Sequence, residues 1–221
     1  MTDGFSVFVD AMEPDQTALL REAEEEAERD HVPIIRRESA AYLETLLRIR
    51  KPEKILEIGS GIGYSALRMA AACPKAAITT IELDAERAAR AEAYFARANE
   101  TARIRLIRGD AGVILPQLSE KYDFIFLDGP KGQYEHFRSE LDRLLKEGGV
   151  LLADNILQEG RLLESRYAVP RRERTIHGRM RRFVREMYRD SAYRCCLLPV
   201  GDGMLTAVKR EKDNDGLLQK T

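Results

Sequence analysis

The amino-acid sequence predicts an α/β protein: a mostly parallel sheet with helices on both faces, closed by a C-terminal antiparallel hairpin. Three observations lead there. From Lys54 onward, short apolar runs alternate with segments of helical pattern. Glycines or acidic residues stand at the end of each early run, where a parallel sheet opens toward a ligand. The last two apolar runs are separated by Gly201-Asp202-Gly203, which reads as a hairpin turn.

Each element follows from its local pattern. Residues 14–30 (PDQTALLREAEEEAERD) read as an exposed acidic helix. Arg37–Ile49 places Ala41, Leu43, Leu46 and Leu47 at helical spacing, and Pro52 ends it. Lys54–Ile58 is a short apolar strand running into glycines, and Tyr64–Ala72 is a helix. Ala76–Ile81 is the next strand, and Asp84–Asn99 is a helix opened by the acid Asp84. Ile104–Ile107 is a strand, followed by a short helix over Gly112–Leu118. Asp123–Leu127 is a strongly apolar strand, Tyr134–Lys146 a helix stopped by Gly148 and Gly149, and Val150–Ala153 a buried strand. Cys195–Val200 and Met204–Val208 form the hairpin, and a polar tail runs from Arg210 to Thr221. The organisation is a single domain over residues 1–221, with N-terminal helices to residue 50, a core over 51–209 and the tail.

A hydrophobic fraction of 44% with 33% charged residues excludes a disordered chain. No apolar run approaches the ~20 residues of a membrane helix. The acidic start lacks the basic and then apolar pattern of a secretory signal. Three cysteines, Cys73, Cys195 and Cys196, make no disulfide framework and point to the reducing cytoplasm. The net charge of −1 hides a segregation: residues 1–30 carry ten acidic and two basic side chains, while residues 166–189 carry nine arginines against Glu173 and Glu186.

The first strand ends in Glu57-Ile58-Gly59-Ser60-Gly61-Ile62-Gly63. Glycines let the chain turn sharply and let a ligand approach the backbone of Gly59, Ser60 and Gly61. The dinucleotide fingerprint needs its third glycine where Tyr64 stands. An acid two residues before the first glycine repels a pyrophosphate and suits a cationic amino-acid end. Glu82, closing the second strand, can accept both hydroxyls of a ribose. Together the acids suggest a ribonucleoside with an ammonium-bearing tail, as in S-adenosylmethionine. A tight turn without ligand explains the glycines alone, and a helix cap explains Glu82 alone. Asp110 and Ala111, after the third strand, are placed to meet the adenine.

The fourth strand ends at Asp128, the fifth at Asp154-Asn155. Both ends open on one rim, so two carboxylates and an amide converge as hard oxygen donors. Such a set suits Mg²⁺ and suits Zn²⁺ poorly. Lys131, three residues past Asp128, can serve as general base beside a divalent cation. Separately, Asp128 is explained as a helix-cap acid, Asp154-Asn155 as a turn, and Lys131 as a solvated lysine.

ILEIGSGIGYSALRMA, ITTIELDAE, YDFIFLDGPKGQY and LLADNIL resemble the successive motifs of the metal-dependent class I O-methyltransferases, a family that includes catechol and caffeoyl-CoA O-methyltransferases. The resemblance covers residues 34–208 and implies a Rossmann-like, seven-stranded fold. It implies that Glu57, Ser65, Glu82 and a residue near Ile35 hold S-adenosylmethionine, with Gly59, Ser60, Gly61, Tyr64 and Asp128 completing that site. It places Asp128, Asp154 and Asn155 on metal-ligand positions and Lys131 on the base. FLDGPKGQYEHF, ADNILQEG and LLPVGDGMLTAVKR are further similar to the branch of bacterial tRNA 5-hydroxyuridine methyltransferases. That branch implies transfer to the 5-hydroxyl of wobble 5-hydroxyuridine in the tRNA anticodon loop. The runner-up acceptor is a small vicinal diol such as a catechol.

The arginine-rich segment fits a polyanionic substrate. Arg171, Arg172, Arg174, Arg179, Arg181 and Arg182 are candidates for RNA phosphates, and Tyr167 and Tyr188 for stacking on bases. The plainer explanation is a solvated helix face paired with the acidic N-terminal helix, across a dimer if not within one chain. The resemblance and the segregated charges both point to a homodimer.

Overall fold

The computed structural model describes residues 16–211 and, ahead of them, Gly4, Val7, Phe8, Ala11 and Met12. Of the tail expected from Arg210, residues 212–221 lie outside the described residues, as do Pro14 and Asp15 of the expected first helix.

Two helices, α1 (Ala18–Arg29) and α2 (Arg37–Arg50), lead into β1 (Lys54–Ile58), α3 (Tyr64–Ala72), β2 (Ala77–Glu82), α4 (Ala85–Arg97) and β3 (Ile104–Arg108). Then follow α5 (Ala111–Ile114), β4 (Tyr122–Leu127), α6 (Tyr134–Leu144) and β5 (Leu145–Ala153). The arginine-rich α7 (Arg174–Arg189) precedes the hairpin of β6 (Tyr193–Leu198) and β7 (Met204–Lys209). The seven strands form one sheet in the order β3-β2-β1-β4-β5-β7-β6. The first five are parallel, and β7 is antiparallel to both β5 and β6. After β3 the chain returns to the other side of β1, so a crevice opens between the ends of β1 and β4, where such folds take their ligands.

The strand period of two divides the core. Ile55, Phe124, Phe126 and Leu152 face one side, against Leu43, Met69 and Phe95. Leu56, Ile58, Ile125 and Leu127 face the other, against Phe137, Leu141, Met180 and Phe183. Among the described residues no helix is long and apolar enough to cross a membrane.

Four local expectations change. The fifth strand begins at Leu145 and runs through Gly148 and Gly149, because buried Leu145 pairs with Tyr122 before a register shift. β6 begins at Tyr193, whose ring is buried and whose hydroxyl donates to Asp142 Oδ1 at 2.8 Å. The arginine-rich segment contains a 16-residue helix with His177, Met180, Phe183 and Met187 buried along one stripe.

The acidic helix is docked rather than freely exposed. Thr17 caps α1, and Ala23 and Ala27 are buried. Its acids pair within the chain: Glu24 takes Arg37 through two bonds of 2.8 Å, Glu22 takes Arg97, and Glu26 takes both Arg90 and the Tyr94 hydroxyl. The partners of these acids are α2 and α4, not the arginine-rich α7. Arg90 also reaches Asp30 at 2.7 Å and is only one-fifth exposed. Replacing it with Met therefore leaves Glu26 with only the neutral Tyr94 hydroxyl and Asp30 with only the exposed Arg29. The expected loss is about 1–2 kcal/mol in urea unfolding. Arg29→Met, which breaks an exposed pair with Asp30, is expected to change stability by less than ~0.5 kcal/mol.

Candidate active site

The crevice is a cavity of about 840 Å³ at the ends of β1, β2, β3 and β4. It is lined by the predicted Ile35, Gly59, Ser60, Gly61, Tyr64, Ser65, Glu82, Asp110, Ala111, Asp128 and Asn155. Pattern reading missed the other walls: Pro33, Ile34 and Arg36 from the α1–α2 link, Leu83 and Arg87 beyond β2, and Pro130 and Gln133 beyond β4. Nothing in these side chains marks them as ligand contacts; tertiary folding alone brings them there.

Close approach shapes the glycine loop. Gly59 has φ +98°, and a Cβ there would stand 2.4 Å from the carbonyl oxygen of Asp128. Only glycine lets the β1 loop lie against the β4 tip. Glu82 fastens the same loop: its Oε2 accepts from Gly61 N at 2.7 Å and its Oε1 from Asp84 N at 2.9 Å. Each carboxylate oxygen keeps lone-pair capacity for a further donor such as a ribose hydroxyl. Ser60 Oγ is buried in the cavity wall without a hydrogen-bond partner among the described residues. An orphaned hydroxyl here fits a polar ligand.

Glu57 lies beneath the cavity rather than on its surface. It is wholly buried, with Oε1 accepting from Ser65 Oγ at 2.5 Å and Oε2 from Thr80 Oγ1 at 2.6 Å. Burial pushes its carboxyl up to about 7, against the opposing pull of those two hydroxyls, and Glu82 adds repulsion. Its influence on a cationic ligand therefore runs through charge and through the Ser65 it holds.

Asp128 and Asp154 are held at the tips of β4 and β5. Leu127 pairs with Ala153 in the parallel register, and Asp154 N donates to the Leu127 carbonyl. The buried Tyr134 hydroxyl lies 3.1 Å from the Leu127 carbonyl oxygen and 3.3 Å from that of Asp154, tying the two tips together. Asn155 has φ +59°, a conformation asparagine tolerates, and donates Nδ2 to Asp128 Oδ1 at 3.0 Å. Burial, followed by repulsion from Asp154 and Glu57, drives the Asp128 carboxyl well above the ordinary range. Burial also raises Asp154, with further repulsion from Asp202 and opposition from Lys131 and Arg36. Among the described residues no three His, Cys, Asp or Glu side chains gather as a metal site. The set here is two carboxylates and an amide. The donor chemistry fits a hard divalent cation: it supplies negative charge in a region that lacks a full counter-charge, and a half-turn of the Asn155 amide presents its oxygen.

Lys131 lies on the other side of the Asp128–Lys131 loop. It lines a smaller recess of about 190 Å³ with Gln158, Glu159, Arg161, Glu173 and Ile176. Its ammonium is 3.6 Å from Asp202 Oδ2. The sequence marks Asp202 only as a turn residue.

The predicted arginines divide. Arg174 donates to the carbonyls of Val169 and Tyr167, Arg179 to that of Gly132, and Arg181 to that of Glu164. Arg182 is bidentate to Glu135. The Arg171 side chain is exposed and makes no hydrogen bond or ion pair among the described residues, and neither do the side chains of Arg166, Arg185 and Arg189. Arg172 is 87% exposed and touches only its neighbour Glu173. Tyr167, in the same stretch, is also 87% exposed.

Comparison with known proteins agrees with this geometry. A family model described as O-methyltransferase matches residues 10–210. A catechol O-methyltransferase of Niastella koreensis is 34% identical over 134 residues, 58% of this chain and 61% of that protein's length. Caffeoyl-CoA O-methyltransferase 2 of Populus trichocarpa is 31% identical over 182 residues, 77% of this chain and 72% of that one. Among solved structures, the SAH-bound methyltransferase PaMTH1 of Podospora anserina superposes with a TM-score of 0.82 at 26% identity, over 96% of this chain and 97% of that one. The cavity, the acids beneath it and these matches define a class I enzyme that uses S-adenosylmethionine as methyl donor. The chain belongs to the O-methyltransferase family, with relatives of the catechol and caffeoyl-CoA types.

The raised Glu57 carboxyl predicts a pH signature in the ligand-free protein. Between its ordinary value of 4.5 and about 7, the folded chain holds a proton that the unfolded chain releases. This stabilising contribution is complete at low pH and is lost as pH rises through about 7, a change on the order of 3 kcal/mol. Glu57→Gln removes the titration. Compared with wild type in urea unfolding, the variant is expected to gain stability between about pH 5 and about pH 8. An equal difference at both pH values would contradict the assignment.

Proposed function

We propose that this O-methyltransferase acts on the 5-hydroxyl of 5-hydroxyuridine in the tRNA anticodon loop, in a Mg²⁺-dependent reaction that yields 5-methoxyuridine. The observation that carries this reading is the chemistry beside Lys131. Five of the six residues lining the recess are polar or charged, and Ile176 alone is apolar. That lining suits a ring with hydrogen-bonding edges better than a bare aromatic ring. Glu173 in the lining is preceded by Arg171 and Arg172, both exposed, with exposed Tyr167 nearby in sequence. Exposed cations and an exposed aromatic ring close in sequence to the lining suit phosphates and an unpaired base.

In the proposed reaction, S-adenosylmethionine occupies the larger cavity with its ribose hydroxyls at Glu82. Lys131 accepts the proton of the acceptor hydroxyl. The acceptor oxygen attacks the methyl carbon opposite sulfur; the O–C bond forms as the C–S bond breaks, and the bonding pair leaves on sulfur. Asp128, Asp154 and Asn155 are the residues that would hold Mg²⁺. Such an ion, when bound, stabilises negative charge on the acceptor oxygen. Asp128 also lines the donor cavity, so it stands where the two substrates must meet.

A second reading, a small vicinal diol as acceptor, is favoured by the relatives named for catechol and caffeoyl-CoA. One assay separates the two. Arg171→Glu with Arg172→Glu is expected to slow methylation of tRNA carrying 5-hydroxyuridine by at least about tenfold, since each phosphate contact adds to binding. Methylation of catechol should be unchanged. Wild-type enzyme that methylates catechol and leaves such tRNA untouched would refute the tRNA reading. Full activity in excess EDTA would refute the metal.

A further inference from the structure

Asp202 is a buried carboxylate that neither the donor cavity nor the three-oxygen set uses. Its side chain is 7% exposed and sits at the tip of the β6–β7 hairpin. Several contacts fix that tip. Ile156 N donates to the Gly203 carbonyl, and Leu157 N to the Asp202 carbonyl. Gly203, at φ +83°, packs so tightly that a Cβ would stand 2.3 Å from Leu157 Cγ. Asp202 Oδ1 accepts from Glu159 N at 2.6 Å, within a run in which Gln158, Glu159 and Gly160 all have positive φ. One carboxylate oxygen thus anchors the loop after β5, and the other, Oδ2, is left facing Lys131 at 3.6 Å.

Lys131 needs such a partner. Its side chain is 37% exposed, and it stands on a 3-10 turn rather than a long helix. A four-carbon stem in that setting has many rotamers open to it. The other charged groups acting in this region are Asp128, Asp154 and Arg36 toward the strand tips and Glu159, Arg161 and Glu173 in the recess.

We propose that Asp202 is a positioning residue for the methyl transfer, holding the Lys131 ammonium between the strand tips and the polar recess. It touches neither donor nor acceptor and acts through Lys131. The inference rests on the reading of Lys131 as the proton acceptor, and it holds for a tRNA or a catechol acceptor alike.

Asp202→Asn separates anchoring from charge, because an amide oxygen can still accept from Glu159 N. The first measurement needs no acceptor. In ¹⁵N spectra of the lysine ammonium groups, the Lys131 signal, assigned with Lys131→Arg, should lose its restricted motion in Asp202→Asn. A signal equally restricted in wild type and variant would overturn the proposal. The second measurement uses whichever of catechol and 5-hydroxyuridine tRNA the wild type methylates. Asp202→Asn should lower kcat by at least about tenfold with the KM for S-adenosylmethionine unchanged, and should add no further loss in a Lys131→Ala background. Equal losses in both backgrounds would overturn it as well. If the wild type methylates neither acceptor, the proposed acceptors fail, and the spectra still decide on Asp202.

Discussion

Buried negative charge at the tips of neighbouring parallel strands is the constraint around which the site is built. Glu57 sits in β1, Asp128 follows β4 and Asp154 follows β5; Glu57 and Asp154 are almost wholly inaccessible to water, and half-buried Asp128 lines the cavity. Parallel pairing of β1 with β4 and of β4 with β5 brings them to one rim. In a medium of low dielectric constant such a group is costly unless protonated or matched by positive charge. The direction of every resolved shift among them is upward. A site of this kind favours ligands that bring positive charge, and a sulfonium with an ammonium tail is such a ligand.

The rest of the fold tolerates that cost. Two apolar layers pack on the sheet, and the strands that carry the acids are otherwise filled by Ile55, Leu56, Ile125, Phe126, Leu151 and Leu152. Specific hydrogen bonds then keep the tips in register. Tyr134 joins the ends of β4 and β5, Glu82 fastens the glycine loop, and Ser65 with Thr80 satisfies both oxygens of Glu57. Precision at the rim comes from these polar contacts, while the driving force for folding comes from the layers beneath.

Much of this was legible in the sequence because the signals are local. Apolar runs such as DFIFL and VLLA mark strands, and the glycines after Ile58 mark the turn that the positive φ of Gly59 requires. The acids ending those strands landed together because a parallel sheet leaves them no other rim. Long-range partners were not legible. Arg174, Arg179 and Arg181 look like free cations in the sequence, yet backbone carbonyls brought in by the fold occupy them. Asp202 reads as a turn residue until the hairpin is laid against the loop after β5. Glu57 reads as a direct ligand contact, and only the packing of Ser65 and Thr80 over it shows that it lies one layer below.

Proton release on donor binding, measured by titration calorimetry near pH 6.5 in two buffers of different ionisation enthalpy, tests the role of this charge most directly. If the buried acids exist to meet a cationic donor, S-adenosylmethionine should expel protons from the strand tips, and Glu57→Gln should expel fewer. Binding of S-adenosylmethionine with no proton released by the wild type would show that the buried carboxyls do not answer to the donor's charge.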